Sequence, residues 1–555
     1  MTRGPDVGGF EPVNPYVLSD QATEHFWADT VADRIEQRDP AEPIVIKGGI
    51  SPSGVPHLGN MNELMRGHFV AEVLRERGHD VRQLFTADDR DPLRSLPRTL
   101  ADADGNLVDL GAVDAGALGR NLGMPYTDIP DPFGEVESYG AHFTRLIERS
   151  ADQLGVDIEV VSMTELYEDG RMDDIVAEVL SNRGAVRRLL GQYQEKVDES
   201  YVPFNPICQS CGRITETVTD VDLDAGSVGY VCTPMEAGER SIGGCGHEGR
   251  AGFREGKLPW RLEWPAQWQV LGVDFEPFGK DHAEGSWPSS DHIAQSLFET
   301  EPPVPMVYEW FTLGGEPLSS SAGNVVLAGE LLEMLEREVL YHFFAKDPRK
   351  ARDFDVERLD QLVDEFDRLE AQYFDEVSGT ETELARAHRV YPYLVEEVRD
   401  QRSRIPYTYA AVLGMTDNPE LRERMARRAG HLDADVSNGV RKRALARVPK
   451  ARRWAANTDN EYNYRLAAGV PALSVEADMS SALEELAAYV EEETPPGAEL
   501  QEAIYEIARA NGVEVSALFT TGYRLFLDTS DGPRLGPFLA ALEPGFVVRR
   551  LRRVE

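Results

Sequence analysis

Residues 51–60 carry the side chains and the spacing of a phosphate-binding turn. They read SPSGVPHLGN, follow the apolar run IVI (44–46) and precede a helical pattern. This order of a strand, a Gly/Pro turn and a helix N-terminus forms an anion-binding site. Backbone N–H groups and the positive end of the helix dipole point toward the anion. Gly54 and Gly59 let the backbone come close, and His57 can donate a hydrogen bond without a fixed charge. An ordinary strand-to-helix turn with an incidental histidine is the alternative for this segment taken alone.

The four cysteines have the spacing of a zinc ribbon. Cys208 and Cys211 form a CxxC turn, and Cys232 and Cys245 follow after a spacer. Four thiolates satisfy the tetrahedral coordination of a structural zinc ion and leave no open position. The spacer, TETVTDVDLDAGSVGYVC, alternates as a β-hairpin does, with DAG at its turn. His247 could replace one cysteine as a ligand, and a disulfide pair is the alternative that a cytoplasmic location disfavours.

A second group of candidate residues follows the cysteines. Three tryptophans at 260, 264 and 268 form one aromatic face of a helix, an arrangement that core packing also explains. The sequence GKDH (279–282) follows an apolar segment and is typical of a strand end that opens onto a ligand crevice. PLSSSAGN (317–324) is rich in hydroxyl groups. It is either a flexible linker or the second part of a split nucleotide site.

The composition is strongly acidic and nearly free of lysine. There are 97 Asp and Glu against 57 Lys and Arg, a net charge of −40, and only eight of the basic residues are lysines. The carboxylates are spread along the chain, so a disordered acidic tail does not explain them. An even acidic surface suits a cytosol of high salt, in which self-repulsion is screened within a few ångströms. The composition therefore predicts a protein of a halophile.

The sequence gives no sign of membrane insertion or export. No apolar run approaches the roughly 18 residues of a membrane-spanning helix. The N-terminus lacks the basic-then-apolar order of a signal peptide. We therefore predict a cytoplasmic protein without a membrane partner.

Basic residues are concentrated in a few short segments of this acidic chain. The densest is RKRALARVPKARRW (441–454). Such a cluster favours contacts with nucleic-acid phosphates, which position a nucleic acid without reading its sequence. A solvated helix face is the alternative for each of these residues. The candidates are Arg441, Arg443, Arg447, Lys450, Arg452 and Arg453.

Several folding units must position these side chains, because 555 residues exceed a single hydrophobic core. The pattern predicts an α/β fold with a parallel sheet in two halves, a zinc-ribbon insertion between them and an all-helical C-terminal region. The predicted ranges are a lead-in at 1–40 with a helix near 21–37, the first α/β half at 41–205, the insertion at 206–250, the second half at 251–330, a helical connecting domain at 331–400 and a helical domain at 401–555.

Taken in order, these segments resemble the class I lysyl-tRNA synthetases, the type found largely in archaea. PSGVPHLGN (52–60) resembles the HIGH element of that family, and PLSSSAGN (317–324) stands in the place of its KMSKS element. Further segments resemble family stretches in the same order, namely TADDRDPLRSLP (86–97), MPYTDIPDPFG (124–134), ESYGAHF (137–143), the cysteine segment, LPWRLEWPAQW (258–268), FGKDH (278–282) and LFLDTSDGPRLGPFLAAL (525–542). The resemblance covers residues 25–550 and implies the Rossmann-type catalytic domain of the HIGH superfamily.

The resemblance implies ATP-dependent ligation of L-lysine to tRNA(Lys) through lysyl-adenylate, with release of pyrophosphate and AMP. The implied cofactors are Mg²⁺ and a structural Zn²⁺ bound by the four cysteines, and the protein is expected to be a monomer. The helical domain at 401–555 is expected to read the anticodon.

The resemblance also assigns roles to individual residues. The implied catalytic residues are His57, Asn60, Ser319, Ser320 and Ser321. The implied ATP-binding residues are Pro52, Gly54, His57, Gly59, Asn60 and Ser320. The implied lysine-binding residues are Gly49, Ser51, Trp260, His282, Tyr308 and Glu309. A preference for lysine over glutamate requires a carboxylate, and the candidates are Glu309 and Asp89.

One departure from the family pattern affects the second loop. The loop is written KMSSSKGN in many relatives, whereas this chain has Pro317, Ser320 and Ala322 in place of the lysines. A cation for the departing pyrophosphate must then come from Mg²⁺, K⁺ or a residue outside the loop such as Lys280. Two other interpretations remain open: a class I synthetase of the glutamyl type, and a non-catalytic paralogue that binds tRNA or an adenylate.

Overall fold

The computed structural model describes residues 10–20, 25–195, 197–238, 240–318, 324–399, 403–433, 435–460 and 462–554. Its strands are β1 (Ile44–Ile50), β2 (Val81–Ala87), β3 (Thr99–Ala101), β4 (Leu107–Asp109), β5 (Glu159–Ser162), β6 (Asn205–Pro206), β7 (Val218–Asp222), β8 (Ser227–Val231), β9 (Met235–Ala237), β10 (Arg240–Ile242), β11 (Glu248–Gly252), β12 (Gly256–Lys257), β13 (Phe275–Gly279), β14 (Val304–Tyr308), β15 (Phe311–Leu313), β16 (Glu316–Pro317) and β17 (Arg352–Phe354).

The helices alternate with these strands and then continue to the end of the chain. They are α1 (Trp27–Glu36), α2 (Met61–Glu76), α3 (Ala115–Arg120), α4 (Tyr139–Leu154), α5 (Met163–Glu168), α6 (Asp173–Ser181), α7 (Arg183–Leu190), α8 (Trp260–Leu271), α9 (Lys280–Glu284), α10 (Trp287–Ser296), α11 (Ala328–Met334), α12 (Arg337–Ala345), α13 (Leu359–Tyr373), α14 (Glu381–Val390), α15 (Tyr407–Leu413), α16 (Pro419–Arg428), α17 (Asn438–Asn457), α18 (Ala477–Glu493), α19 (Gly497–Ala510), α20 (Val515–Leu527), α21 (Leu535–Ala541) and α22 (Pro544–Leu551).

A parallel sheet with the strand order β14-β13-β1-β2-β5 forms the core of the α/β region. β1 pairs with β2 from Ile44–Val81 to Ile50–Ala87, and with β13 at Ile46–Phe275. β13 and β14 are buried along their whole length, as expected for strands covered on both faces by helices. The chain adds β2 and β5 on one side of β1, and β13 and β14 on the other. The topological switch point, where ligands bind in such folds, therefore lies between β1 and β13.

The cysteine-bearing insertion leaves and rejoins the α/β region through a short antiparallel pair. Asn205 of β6 lies opposite Lys257 of β12, and Pro206 lies opposite Gly256. Between them, β7 and β8 form the hairpin predicted from the spacer, and β11 pairs with the other side of β8. Gly226 makes the hairpin turn with a φ of +60°, a backbone conformation that favours glycine.

The chain divides into two compact units. The first consists of Met1–Leu331, Tyr341–Phe354 and Ser378–Leu394, and the second of Leu332–Leu340, Asp355–Val377 and Val395–Glu555. The regular elements of the second unit, as far as it is described, are helices, which confirms the all-helical C-terminal region.

The lead-in helix is shorter than the sequence predicts. α1 begins at Trp27 rather than near 21, because Phe26 at its N-cap has an extended backbone (φ −137°, ψ 117°). Residues 21–24 lie outside the described part of the chain. None of the described helices is long and apolar enough to cross a membrane.

Candidate active site

A cavity of about 690 Å³ opens at the carboxyl ends of β1, β2, β13 and β14. The switch-point rule predicts a ligand site at this edge of the sheet. Eight residues that the sequence analysis singled out line the wall, namely Gly49, Ser51, His57, Gly59, Asn60, Trp260, His282 and Tyr308. Pro317 and Leu318, the first two residues of the PLSSSAGN segment, line the same wall. Two segments about 260 positions apart in the chain thus share one cavity.

The turn after β1 is held by hydrogen bonds between His57 and Asn60. The backbone N–H of His57 donates to Asn60 Oδ1 at 3.0 Å, and its carbonyl accepts from the Asn60 N–H at 2.9 Å. A Cβ atom at Gly59 would lie 3.0 Å from the imidazole, so glycine allows the ring to fold over the turn. Pro52 and Gly54 are buried and are not among the residues that line the cavity, and their implied role in ATP binding stays a prediction.

The His57 ring is neutral and has an unused nitrogen. Burial lowers the pKa of His57 to about 4. Its Nδ1 atom is shielded from solvent and has no hydrogen-bond partner within the described residues. A neutral imidazole has one donor and one acceptor nitrogen, and His57 lines the cavity wall, where a ligand would meet the ring.

Of the hydroxyl-rich loop, the structure describes only the two ends, Pro317 and Leu318 on one side and Asn324 on the other. Ser319, Ser320, Ser321 and Ala322 lie outside the described residues, so their predicted roles stay predictions. On one side, Leu318 lies next to the turn, 3.6 Å from where a Cβ of Gly59 would stand. On the other side, the N–H of Leu58 donates to the carbonyl of Val326 at 2.9 Å. Both flanks of the loop therefore lie against the His57 turn.

Glu63, in the first turn of α2, is the carboxylate that the sequence analysis missed. One of its oxygens accepts from the Gly49 N–H at 3.1 Å, and the other accepts from the Tyr308 hydroxyl at 2.8 Å. Burial raises the pKa of Glu63 to about 7 despite these two donors. It lines the cavity between β1 and β14, where it can pair with a cation.

Neither carboxylate that the sequence suggested belongs to the cavity wall. Glu309 forms an ion pair with Lys280 at 2.6 Å. Asp89 turns away and accepts from the Thr164 N–H at the start of α5 at 2.8 Å. Each pairs with a group on a neighbouring element, whereas Glu63 lines the cavity beside Tyr308. The predicted contact of Glu309 or Asp89 with the amino acid stays a prediction.

Other polar residues of the wall were also missed. They are Asn62, Asp88, Asp91 and Trp310, whereas Asp281 belongs to the GKDH segment that the sequence analysis placed at a strand end. Asp88 and Asp91 follow the apolar strand β2 directly, so the strand-end rule could have found them. Burial and the charge of Asp91 raise the pKa of Asp88 to about 8.

The tryptophan face of α8 serves two purposes. Trp260 reaches the cavity wall and stacks on Trp264, with ring centroids 5.5 Å apart. Trp264 and Trp268 are buried, and their indole N–H groups donate to Glu276 at 3.1 and 2.6 Å. Core packing therefore accounts for two of the three rings.

The four cysteine sulfurs converge in the insertion. They lie within 4.8 Å of one another, and the pairs Cys208–Cys245 and Cys211–Cys232 are each separated by 3.7 Å. Zinc–sulfur bonds of about 2.3 Å in a tetrahedron place sulfurs about 3.8 Å apart, whereas a disulfide requires about 2 Å. The geometry fits a four-coordinate metal ion, and His247 is outside this group.

The basic segment of α17 is largely engaged inside the second unit. Arg447 is buried and pairs with Glu336 at 2.7 Å and Asp367 at 2.6 Å. Lys450 donates to the carbonyl of Leu332. Arg447 is thus paired with carboxylates in the interior and Lys450 with a backbone carbonyl, and their predicted contacts with nucleic-acid phosphates stay predictions.

The remaining candidates of that segment differ in exposure. Arg452 donates to the carbonyl of Tyr464 at 3.3 Å and is half-buried. Arg441 pairs with Glu423 at 2.9 Å, and Arg453 pairs with Glu333 at 2.8 Å. Arg443 and Arg453 are exposed, so these two remain the accessible basic candidates.

Comparison with known proteins gives consistent matches along the chain. A family model described as tRNA synthetases class I (K) matches residues 25–395. The chain is 62% identical over 539 residues to a lysine–tRNA ligase of Natronomonas pharaonis, covering 97% of this chain and 99% of the relative. It is 61% identical over 542 residues to a lysine–tRNA ligase of Halobacterium salinarum, with the same coverage. A lysine–tRNA ligase of Pyrococcus horikoshii is 31% identical over 547 residues, covering 95% of this chain and 99% of that relative.

Proposed function

The chain belongs to the class I tRNA synthetases, in the archaeal-type lysine–tRNA ligase group, and we propose that lysine and ATP react in the cavity around His57 and Glu63. The activity is ATP-dependent ligation of lysine to tRNA. The lysine carboxylate attacks the α-phosphate of ATP, which forms lysyl-adenylate and releases pyrophosphate. The terminal ribose hydroxyl of the tRNA then attacks the adenylate carbonyl and releases AMP.

The observation that carries the proposal is the meeting of the His57 turn with the flanks of the hydroxyl-rich loop on one cavity wall. In this proposal the triphosphate lies between them, near the N-terminus of α2 and its positive dipole end. His57, Gly59 and Asn60 contact the phosphates. Ser319, Ser320 and Ser321 keep their predicted role at the pyrophosphate as part of this proposal. Such a site acts through positioning and electrostatic stabilisation, and no protein nucleophile is required. Mg²⁺ accompanies the triphosphate as its counter-ion.

The lysine side chain occupies the end of the cavity lined by Glu63 and Tyr308. The ammonium group pairs with Glu63, which the Tyr308 hydroxyl and the Gly49 N–H hold in place. A Cβ at Gly49 would come within 2.2 Å of the Thr86 hydroxyl, so a larger residue at 49 would disturb this end. A glutamate side chain would place a second carboxylate against Glu63 and would be repelled. The glutamyl-type alternative is disfavoured for that reason.

In this proposal the α-amino group of lysine lies near Ser51 and Asp91. The Ser51 hydroxyl donates to Asp91 at 3.0 Å, and both residues line the cavity. Trp260 and His282 enclose the aliphatic part of the substrate from the α8–α9 side. Two carboxylates on the cavity wall, Glu63 and Asp91, suit a ligand with two ammonium groups.

The decisive experiment is amino-acid-dependent ATP–pyrophosphate exchange in molar KCl, with lysine and glutamate compared. Exchange with lysine alone is expected. Exchange with glutamate would indicate the glutamyl-type alternative, and tRNA binding without exchange at any salt concentration would indicate a non-catalytic paralogue. Relatives from halophilic archaea and the acidic composition support the choice of salt. The predicted monomer and the cytoplasmic location stay predictions.

The cysteine cluster is proposed to hold a structural zinc ion. Cys211→Ser is expected to lower the zinc content from about one ion per chain to none and to unfold the insertion, since four thiolates complete the site. Zinc is measured by atomic absorption and the insertion by limited proteolysis. His247→Ala is the matched control and should keep its zinc, because His247 lies outside the cluster. Zinc retained in full by Cys211→Ser would contradict this assignment.

A further inference from the structure

The strand that closes the cysteine-bearing insertion carries a buried cation to the floor of the cavity. Lys257 of β12 has 4% of its side chain exposed. Its ammonium donates to Asp91 and, at 2.6 Å, to Glu263 of α8. Because Asp91 lines the cavity and Glu263 is fully buried, Lys257 connects the wall of the site with the interior.

The position of this strand is fixed from two sides. Arg90, directly after β2, donates through Nε to the carbonyl of Gly256 at 2.9 Å and through Nη2 to the carbonyl of Arg254. The Tyr167 hydroxyl donates to Glu263 at 2.7 Å and accepts from the Leu258 N–H at 2.8 Å. The Lys257 ammonium therefore stands at a defined point, with its carboxylate partners held by other elements.

The positive charge of Lys257 acts on the part of the cavity wall formed by Asp91 and Ser51. Asp91 uses one oxygen for Lys257 and the other for the Ser51 hydroxyl, at 3.0 Å from Ser51. Asp88, also on the wall, accepts from Gln267 of α8 at 3.0 Å. Without the Lys257 ammonium, the carboxylates of Asp88 and Asp91 would lie close to each other and to Glu263. Uncompensated buried charges of the same sign would lower the stability of the folded protein.

We propose that Lys257 is a positioning residue for the α-amino group of the lysine substrate. It holds the Asp91 carboxylate in place and, through Asp91, the Ser51 hydroxyl. The inference rests on the proposed placement of lysine in this cavity. The inference also assigns the cysteine-bearing insertion a role besides metal binding, because β12, the strand through which it rejoins the α/β region, carries Lys257. Lys257 does not touch the reacting atoms and acts through Asp91 alone.

The test uses a variant designed to fold. Lys257→Met by itself would leave Glu263 buried without a charged partner, so it is combined with Glu263→Gln, which keeps the net charge of the group unchanged. The double variant is expected to raise the KM for lysine about tenfold, the scale of a lost hydrogen bond to a charged group. The KM for ATP should stay at the wild-type value. Lysine binding by calorimetry gives a readout that does not depend on turnover.

A double-mutant cycle separates positioning from general damage. In an Asp91→Asn background, the Lys257→Met/Glu263→Gln change should no longer alter lysine affinity, because its route through Asp91 is absent. Arg447→Met is the stability control: it leaves buried carboxylates in the helical unit and should not alter lysine affinity.

Two results would overturn the inference. The first is a wild-type affinity for lysine in the Lys257→Met/Glu263→Gln variant. The second is that Lys257→Met/Glu263→Gln lowers lysine affinity by the same factor in the Asp91→Asn background as in the wild-type background. Absence of lysine-dependent exchange in the wild-type protein is a separate outcome, which counts against the proposed function itself.

Discussion

Glu63→Gln is expected to lower kcat/KM for lysine in pyrophosphate exchange by about 100-fold or more. The substitution keeps the shape of the side chain and removes the charge that faces the lysine ammonium. The amide oxygen can still accept from the Gly49 N–H, and the amide NH2 can donate to the Tyr308 hydroxyl, whose own proton then points elsewhere. Removing one partner of a buried, hydrogen-bonded charge pair costs about 2–5 kcal/mol, much of it from the charge that is left unpaired. The loss should appear mainly in the KM for lysine.

The matched control is Glu72→Gln on the same helix. Glu72 is a partly exposed residue of α2 that pairs with Arg75, so its neutralisation should leave exchange unchanged. Calorimetric ATP binding should be unchanged in both variants. If Glu63→Gln kept wild-type kcat/KM for lysine, the assignment of the ammonium site to Glu63 would be wrong.

The same residue predicts a pH dependence of lysine recognition. Burial raises the pKa of Glu63 to about 7, so the group loses its negative charge as the pH falls through that value. A neutral acid cannot pair with the lysine ammonium, and kcat/KM for lysine should therefore fall about tenfold per pH unit below about 7. Asp88, whose pKa is about 8 because of burial and Asp91, also titrates nearby. The difference between the profiles of the wild type and Glu63→Gln isolates the contribution of Glu63, and parallel profiles would refute it.

His57→Ala is expected to slow adenylate formation by about 10²–10³-fold, the usual effect of removing one donor that stabilises charge in a transition state. The ring is neutral and lines the cavity wall at the turn where the proposal places the phosphates. The measurement is single-turnover adenylate formation at saturating lysine. The KM for lysine should not change, because Glu63 and Asp91 bind the amino acid.

Two substitutions serve as references for His57→Ala. His57→Asn should recover part of the rate, since its amide can also donate a hydrogen bond. His79→Ala should have no effect, because His79 is bound to Glu36 and Glu42 away from the cavity. An unchanged rate in His57→Ala would show that the ATP phosphates lie elsewhere.

The sequence by itself determined the local elements and the residues that their turns carry. The strand and turn that end in α2, the hairpin around Gly226 and the helix that begins at Trp260 were all predictable. Each depends on backbone preferences and hydrophobic periodicity over a short stretch of chain. The order of the motifs also determined the family, because several weak signals in a fixed order are more specific than any one of them.

Only the tertiary structure decided which charged side chains face the cavity. Asp88 and Asp91 line it, whereas Asp89 between them caps α5, a difference set by where β5 lies beside β2. Arg447 and Glu309 looked accessible in the sequence, yet each pairs with a carboxylate or a cation on another element. A charged side chain takes its direction from partners that are distant in the chain. Local pattern therefore cannot reveal whether its charge is compensated in the interior or left for a substrate.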